Sequence, residues 1–323
     1  MFFEIKQSIN RFYNLILFAF SYWYSKLFGK FCLLNLPFAI HIETCSLCNL
    51  SCLFCEQGLG NINRADSFIA FTDFQRLINN LPKNIFWITL YFQGEPLLDD
   101  TIIEKIKYLR SNDFYVELST NAQNISYNVA TSLVNSGLNR IVVSMDGISQ
   151  KTYEKYRTGG NIDKVYDAIN NLIKAKHILK KKSPKIIVQF VVFRHNEHEI
   201  RLFKKHMKKI KVKTSIKSAQ LVENAIDFLP KNKRFSRYKI LNDQLILKKL
   251  PSTPCTRLWT ELILLQNGQI AICCQDKNAN FLNDNWYKKS INEIWFSEEL
   301  NKIRIQSIKG KYLDICYNCD KGF

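Results

Sequence analysis

Residues 43–56 read Glu43-Thr-Cys-Ser-Leu-Cys-Asn-Leu-Ser-Cys-Leu-Phe-Cys-Glu56, and within them Cys48, Cys52 and Cys55 stand at C-x3-C-x2-C spacing. Three thiolates at such intervals can hold three irons of a [4Fe–4S] cube, whereas a cluster built only for electron transfer normally takes four thiolates. The fourth iron is then open to chemistry. Cys45 lies three residues upstream, so the run also reads C-x2-C-x3-C-x2-C, which admits a closed zinc or ferredoxin-like centre. Zinc knuckles usually separate their C-x2-C halves by about a dozen or more residues. The spacing therefore favours the open cluster and leaves Cys45 as a packing residue at a strand end.

Outward from this loop, apolar strand-like runs alternate with helical patterns. Strands are expected at Phe38 to Glu43, Ile85 to Phe92, Phe114 to Ser119, Arg140 to Met145, Lys185 to Phe193 and Thr214 to Leu221. Helices are expected between them, at Thr72 to Asn80, Asp99 to Asn112, Ser126 to Ser136, Ile162 to Leu179 and Glu197 to Ile210. Strand–helix alternation means an α/β fold with a parallel sheet. Residues 224–254 carry lysines, polar residues and prolines and read as a linker or covering segment.

The 323 residues suffice for one large α/β domain with a small appendage, and 46% hydrophobic content can fill its core. Seven of the ten cysteines fall into metal-ligand spacings, which points to a reducing cytoplasm and not to a disulfide scaffold. The net charge of +18 favours acidic partners without choosing among nucleic acid, anionic lipid, nucleotide-sugar or acidic peptide. Its densest runs, Lys174 to Lys185 and Lys204 to Lys213, fall at predicted helix ends, where lysine also suits the helix dipole.

Residues 1–36 form a segment of their own, with Ile5, Ile9, Phe12, Ile16, Ala19, Trp23 and Leu27 at helical spacing. The uncharged stretch Phe12 to Ser25 has 14 residues, short of the roughly 20 that span a bilayer. No small-residue cleavage site follows, which argues against a signal peptide. Two readings stay open: an aromatic amphipathic helix that packs on the domain, or one in which residues 1–30 lie on a membrane, at its inner face.

The cysteine loop resembles that of the radical S-adenosylmethionine (radical SAM) enzymes, in which the residue before the last cysteine is usually aromatic, as Phe54 is. The resemblance implies a partial (β/α)6 TIM-like barrel over 37–223. It also implies a [4Fe–4S] cluster on Cys48, Cys52 and Cys55 that binds SAM and cleaves it reductively to a 5′-deoxyadenosyl radical. Gln93-Gly94-Glu95-Pro96 is similar to the family's Gly-Gly-Glu-Pro element, which binds the SAM amino group. Ser119-Thr-Asn121 and Ser144-Met-Asp146-Gly147 resemble its Thr-Asn-Gly and Ser-x-Asp-Gly elements, with Ala122 where glycine is usual. Serines and asparagines at strand ends are equally good helix caps. Arg157 is implied as a partner of the SAM carboxylate through its planar fork, and Gln189 and Asn196 frame the same strand ends.

The last third holds a second constellation. Glu261 to Gln266 and Gln269 to Cys274 flank Asn267-Gly268, a hairpin signal, and the chain carries Cys316-x2-Cys319 near its end. Cys255, Gly268, Cys273 and this pair resemble the SPASM module, here in the shortened "twitch" form. The resemblance implies a small C-terminal α+β cluster-binding domain over 255–323, with a second, auxiliary [4Fe–4S] cluster on Cys255, Cys273, Cys316 and Cys319. Cys274 is the rival ligand, since neighbours in a strand point to opposite faces, and a four-cysteine zinc site is the alternative.

Together the sites resemble those of dehydrogenases in which a second cluster accepts an electron from a substrate radical. A radical SAM oxidoreductase acting on a small, anionic or carbohydrate-like substrate is therefore expected, served by a reducing electron donor such as flavodoxin or ferredoxin. Maturation of a ribosomally made peptide is the alternative, although residues 1–36 are too few for a winged-helix peptide-binding domain. A nucleic-acid substrate and a non-catalytic, membrane-docked metal scaffold are weaker readings. His195 and His198 lie near the end of the fifth strand, where lone histidines usually pack or face solvent.

Overall fold

The computed structural model describes residues 2–222, 225–249, 251 and 253–319, with side chains from residue 9 onward. The side chain of Ile5, the expected boundary at 223–224 and residues 320–323 lie outside the described residues. After a long helix, α1 (Phe2–Phe28), strands and helices alternate. They are β1 (Ala39–Ile42), α2 (Phe71–Asn79), β2 (Trp87–Leu90), α3 (Ile102–Ser111), β3 (Tyr115–Thr120), α4 (Tyr127–Asn135) and β4 (Arg140–Ser144). The series continues with α5 (Gln150–Tyr153), α6 (Ile162–Ile178), β5 (Lys185–Val192), α7 (Ile200–Lys209) and β6 (Lys213–Ser218).

Strands β1 to β6 pair in parallel in chain order, as the partial (β/α)6 barrel requires. Alternation along each strand sorts its side chains between two environments. In β3, Val116, Leu118 and Thr120 are buried beneath the helices, while Tyr115, Glu117 and Ser119 are half-buried and face the lumen. Helix α6 shows why the helices lie flat on this sheet. Asn161 caps it by accepting from the amides of Asp163 and Lys164, and Ile162, Val165, Ala168, Ile169, Leu172 and Ala175 turn one apolar stripe inward.

Beyond β6 comes a hairpin, β7 (Tyr238–Leu241) and β8 (Gln244–Leu247), inside the segment expected as a linker. Its turn places Asn242 and Asp243 at φ +47° and +56°, the left-handed conformation that a two-residue hairpin turn demands. Asn-Asp lacks the glycine that marks such turns, so the sequence reading missed it. The hairpin packs Tyr238 and Leu247 against Phe193, Leu221 and Leu229 in a small second core.

The C-terminal segment contributes β9 (Glu261–Leu264), β10 (Ile270–Ala271), α8 (Ile291–Trp295) and α9 (Glu298–Ile308). β9 pairs in parallel with β1 and antiparallel with β10, so one eight-stranded sheet runs β10-β9-β1-β2-β3-β4-β5-β6. The expected turn at Asn267-Gly268 joins β9 to β10, with Gly268 at φ +91°. No helix among the described residues is long and apolar enough to cross a membrane.

Candidate active site

The cysteine loop leaves the carboxyl end of β1 and is held at both ends by one buried ion pair. Arg64 donates through Nη1 to Glu43 Oε2 at 2.5 Å and through Nη2 to Oε1 at 3.1 Å. The same Nη1 donates to Gln266 Oε1 at 2.8 Å, and Glu43 Oε1 also accepts from the Gln93 amide at 3.2 Å. Entry and exit of the loop, the end of β2 and the β9–β10 turn thus meet at one carboxylate. Within the loop, the amides of Ser51 and Leu53 donate to the carbonyls of Thr158 and Tyr156. Phe54, at φ +65°, lays its ring against Phe228 and Phe193.

Two glycines let other segments close on the loop. A Cβ on Gly94 would sit 2.1 Å from the Cys45 carbonyl oxygen, and one on Gly58 would sit 2.6 Å from the Cys52 amide nitrogen. Cys45 is buried and its charged neighbours are Asp99, Glu43 and Glu95, which fits the packing role expected for it. Cys48, Cys52 and Cys55 lie within electrostatic reach of one another. Burial pushes the Cys48 thiol up to about 11 and raises Cys52, against the lowering effect of Arg157. Such thiols stay protonated until a metal takes the proton's place, so these residues suit a cluster.

Around the thiols stand the strand-end residues. Glu95 caps the short turn that begins at buried Pro96, accepting from the Leu97 amide at 3.1 Å, Thr120 Oγ1 at 2.7 Å and the Asn121 amide at 2.7 Å. A carboxylate has about four acceptor sites, so one more donor, such as an ammonium, still fits. Asn121 turns its amide to Asn49 Oδ1 at 2.8 Å, with Cys48 Sγ 3.9 Å away. Asp146 accepts from Arg157 Nε and from the Val191 amide, each at 2.6 Å. Arg157 is therefore committed to Asp146 through Nε while Nη1 lies 3.8 Å from Cys52 Sγ, which leaves guanidinium hydrogens for an incoming carboxylate. Ser144 lies opposite Gln189 in register, and Ser119 is on the lumen face of β3. Asn196 instead binds backbone, donating to the carbonyls of Asp146 and Val191.

The lumen itself is polar. His41 Nε2 lies 3.3 Å from Glu261 Oε2, and Glu261 also pairs with Arg257. On the adjacent strands β3 and β4, Arg140 Nε is 3.1 Å from Glu117 Oε2. Tyr91 keeps 43% of its surface accessible, yet burial among protein groups raises its hydroxyl pKa, and both Cys274 and Cys55 act on it. Tyr91 thus stands within electrostatic reach of both thiol groups. Sequence reading missed Tyr91, although Trp87, Thr89 and Tyr91 continue one alternating face.

At the second site Cys255, Cys273, Cys274, Cys316 and Cys319 line one cavity with Ile272, Leu313 and Ile315. Cys255 precedes β9, and β10 runs back toward the same end, so both arms deliver their thiols to the amino end of β9. The alternation expected to separate Cys273 from Cys274 does not reach them. They lie in a bend beyond Ala271, both line the cavity, and Cys274 lies within electrostatic reach of Cys319. The thiols ring a cavity, which suits a multi-iron cluster.

Residues 42–207 match the radical SAM superfamily and residues 255–320 the SPASM iron–sulfur cluster-binding domain. The chain thus belongs to the radical SAM superfamily. It carries a SPASM domain in addition, so its cofactors are a [4Fe–4S] cluster with SAM and auxiliary iron–sulfur ligation. A GTP 3′,8-cyclase of Lactiplantibacillus plantarum is 28% identical over 134 residues, 40% of each chain. The chain spans about two fifths of the length of that relative. In fold it is similar to Streptococcus suis SuiB bound to S-adenosylmethionine, at 16% identity and TM-score 0.68 over 90% of this chain and 74% of that one. It is also similar to BtrN in complex with AdoMet and 2-DOIA, at 15% identity and TM-score 0.55 over 88% and 94%.

Proposed function

We propose that this radical SAM enzyme oxidises or rearranges a small polar substrate, anionic or carbohydrate-like, held in the lumen between the two thiol groups. The observation that carries the reading is the position of Tyr91, under the influence of Cys55 and Cys274 alike and of Glu117 and Arg257, which belong to the ion pairs Glu117–Arg140 and His41–Glu261–Arg257. When bound, SAM and the first cluster supply hydrogen-atom abstraction, and the second cluster an acceptor for the electron left behind. Cys48, Cys52 and Cys55 would hold the first cluster, and Cys255, Cys316 and Cys319 with Cys273 or Cys274 the second. Arg157, Asn121 and Glu95 orient SAM. Arg140 and Arg257 attract a carboxylate or phosphate, while Glu117, Glu261 and His41 accept from hydroxyls.

A peptide substrate is the second reading, supported by the likeness to SuiB, which has also been seen bound to its precursor peptide SuiA. Reduced holoprotein with SAM, challenged with sugar alcohols, sugar phosphates and short peptides, separates the two. The expected result is 5′-deoxyadenosine formation stimulated by a hydroxyl-bearing small molecule, which itself loses two hydrogens. Glu117→Gln should lower that stimulation about tenfold, the worth of one charged hydrogen bond. Stimulation by peptides alone would sink the small-molecule reading.

A further inference from the structure

Helix α1 is built inside out. Its polar stripe faces the protein: Asn14, Ser21 and Ser25 are each 1% exposed or less. Asn14 Nδ2 donates to the Leu36 carbonyl at 2.9 Å and its Oδ1 accepts from the Leu36 amide at 2.8 Å. Ser21 and Ser25 accept from the amides of Leu34 and Cys32 at 2.9 and 3.0 Å. These bonds satisfy the buried polar groups and pin the returning segment to the helix. The opposite stripe, Phe12, Ile16, Phe20, Trp23, Leu27 and Phe28, is 51 to 71% exposed. An apolar face of this extent on a folded chain marks an interaction surface.

Its place in the fold says what covers it. Arg11 donates to the Asp113 carbonyl and lies over Phe86, and Phe18 packs edge-on against Phe38. Phe38, Phe86 and Asp113 come just before β1, β2 and β3, so α1 crosses the amino end of the barrel. Lys185 opens β5 and Lys213 opens β6. The exposed lysines 180–182 and 211 lie in the turns leading into those strands, and Lys208 and Lys209 in the last turn of α7 just before one of them, hence at the same end. The cysteine loop is at the opposite end of β1.

We infer that the amino end of the barrel docks on an anionic bilayer surface, with α1 lying in the headgroup plane. Exposed aromatic and aliphatic side chains enter the acyl boundary, and the lysines meet lipid phosphates. Lys26, with Nζ 4.8 Å from the Trp23 ring, sets a cation beside the apolar stripe. A second copy of this chain is the poorer occupant, because it would bring two lysine-rich poles of a +18 protein together. This proposal is independent of the substrate reading.

Flotation of the iron-loaded full chain with phosphatidylcholine vesicles, with and without phosphatidylglycerol, tests it. Binding is expected to the anionic vesicles, to weaken with salt, and to fall about tenfold or more both in Trp23→Ser/Leu27→Ser and in Lys181→Glu/Lys182→Glu. Iron content and SAM cleavage without vesicles should stay unchanged in both variants. No vesicle binding at low salt overturns the proposal, as does binding that the Trp23/Leu27 variant leaves intact. A dimer dissolved by that variant would assign the face to a second copy instead.

Discussion

Gly94 and Gly58 are what allow the cysteine loop to be crossed closely by its neighbours. Gly58→Ala drives a Cβ into the Cys52 backbone, so iron should fall from about eight to about four per chain as the first cluster is lost and the second remains. Gly94 was legible because it sits in a recognisable Gly-Glu-Pro element, whereas Gly58 stands in no motif and its role depends on how the loop folds back. Arg64 was equally hidden, since its partners Glu43 and Gln266 lie 21 and 202 residues away. Arg64→Met leaves Glu43 buried without its cation and should cost about 3–5 kcal/mol at neutral pH. The cost should shrink in acid, where Glu43 can take up a proton. At Ala122, where the family has glycine, φ is +60°; Ala122→Val should cost about 2 kcal/mol or more, read as a shift in the denaturation midpoint.

His195 carries a pH dependence of its own. Burial, then Lys155 and His198, lower its pKa from 6.5 to about 4. The unfolded chain therefore binds this proton more readily than the folded one between those values. Stability should decline as pH falls from about 6.5 toward 4, and His195→Phe should flatten that slope in urea titrations across the window.

The elements were legible to different degrees. All six parallel strands could be placed because their apolar runs are bounded by helical patterns and turn residues, and a slip of one residue would exchange lumen and core faces. The hairpin β7–β8 was not, because Lys239, the flanking Arg237, Lys248 and Lys249, and a glycine-free turn mask its alternation. Its hydroxyl anchor matters for the second site: the Tyr238 Oη accepts from the Leu221 amide at 3.0 Å and bonds Asn318, next to Cys319. Tyr238→Phe should cost about 1 kcal/mol and lower auxiliary-cluster iron without touching the first cluster. The apolar stripe of α1 is visible in its spacing, but periodicity cannot say whether such a stripe faces core or solvent. Here buried Asn14, Ser21 and Ser25 decide it.

At the scale of the molecule, one sheet carries both thiol groups, with the three-cysteine loop beyond the carboxyl end of β1 and the five-cysteine cavity at the amino end of β9. The sequence separates them by some 200 residues, and only the parallel pairing of β9 with β1 brings them to opposite ends of the same lumen. Tyr91 and the ionic pairs near it follow from that closure, which is why the cysteine spacings were legible in the sequence and this placement was not. The central claim is that one auxiliary cluster faces the SAM cluster across this lumen, and iron and labile sulfide per chain after anaerobic reconstitution test it most directly. About eight of each in the native chain, and about four in Cys255→Ala/Cys316→Ala/Cys319→Ala, are expected. About four in the native chain, or zinc held by the C-terminal cysteines, would contradict it.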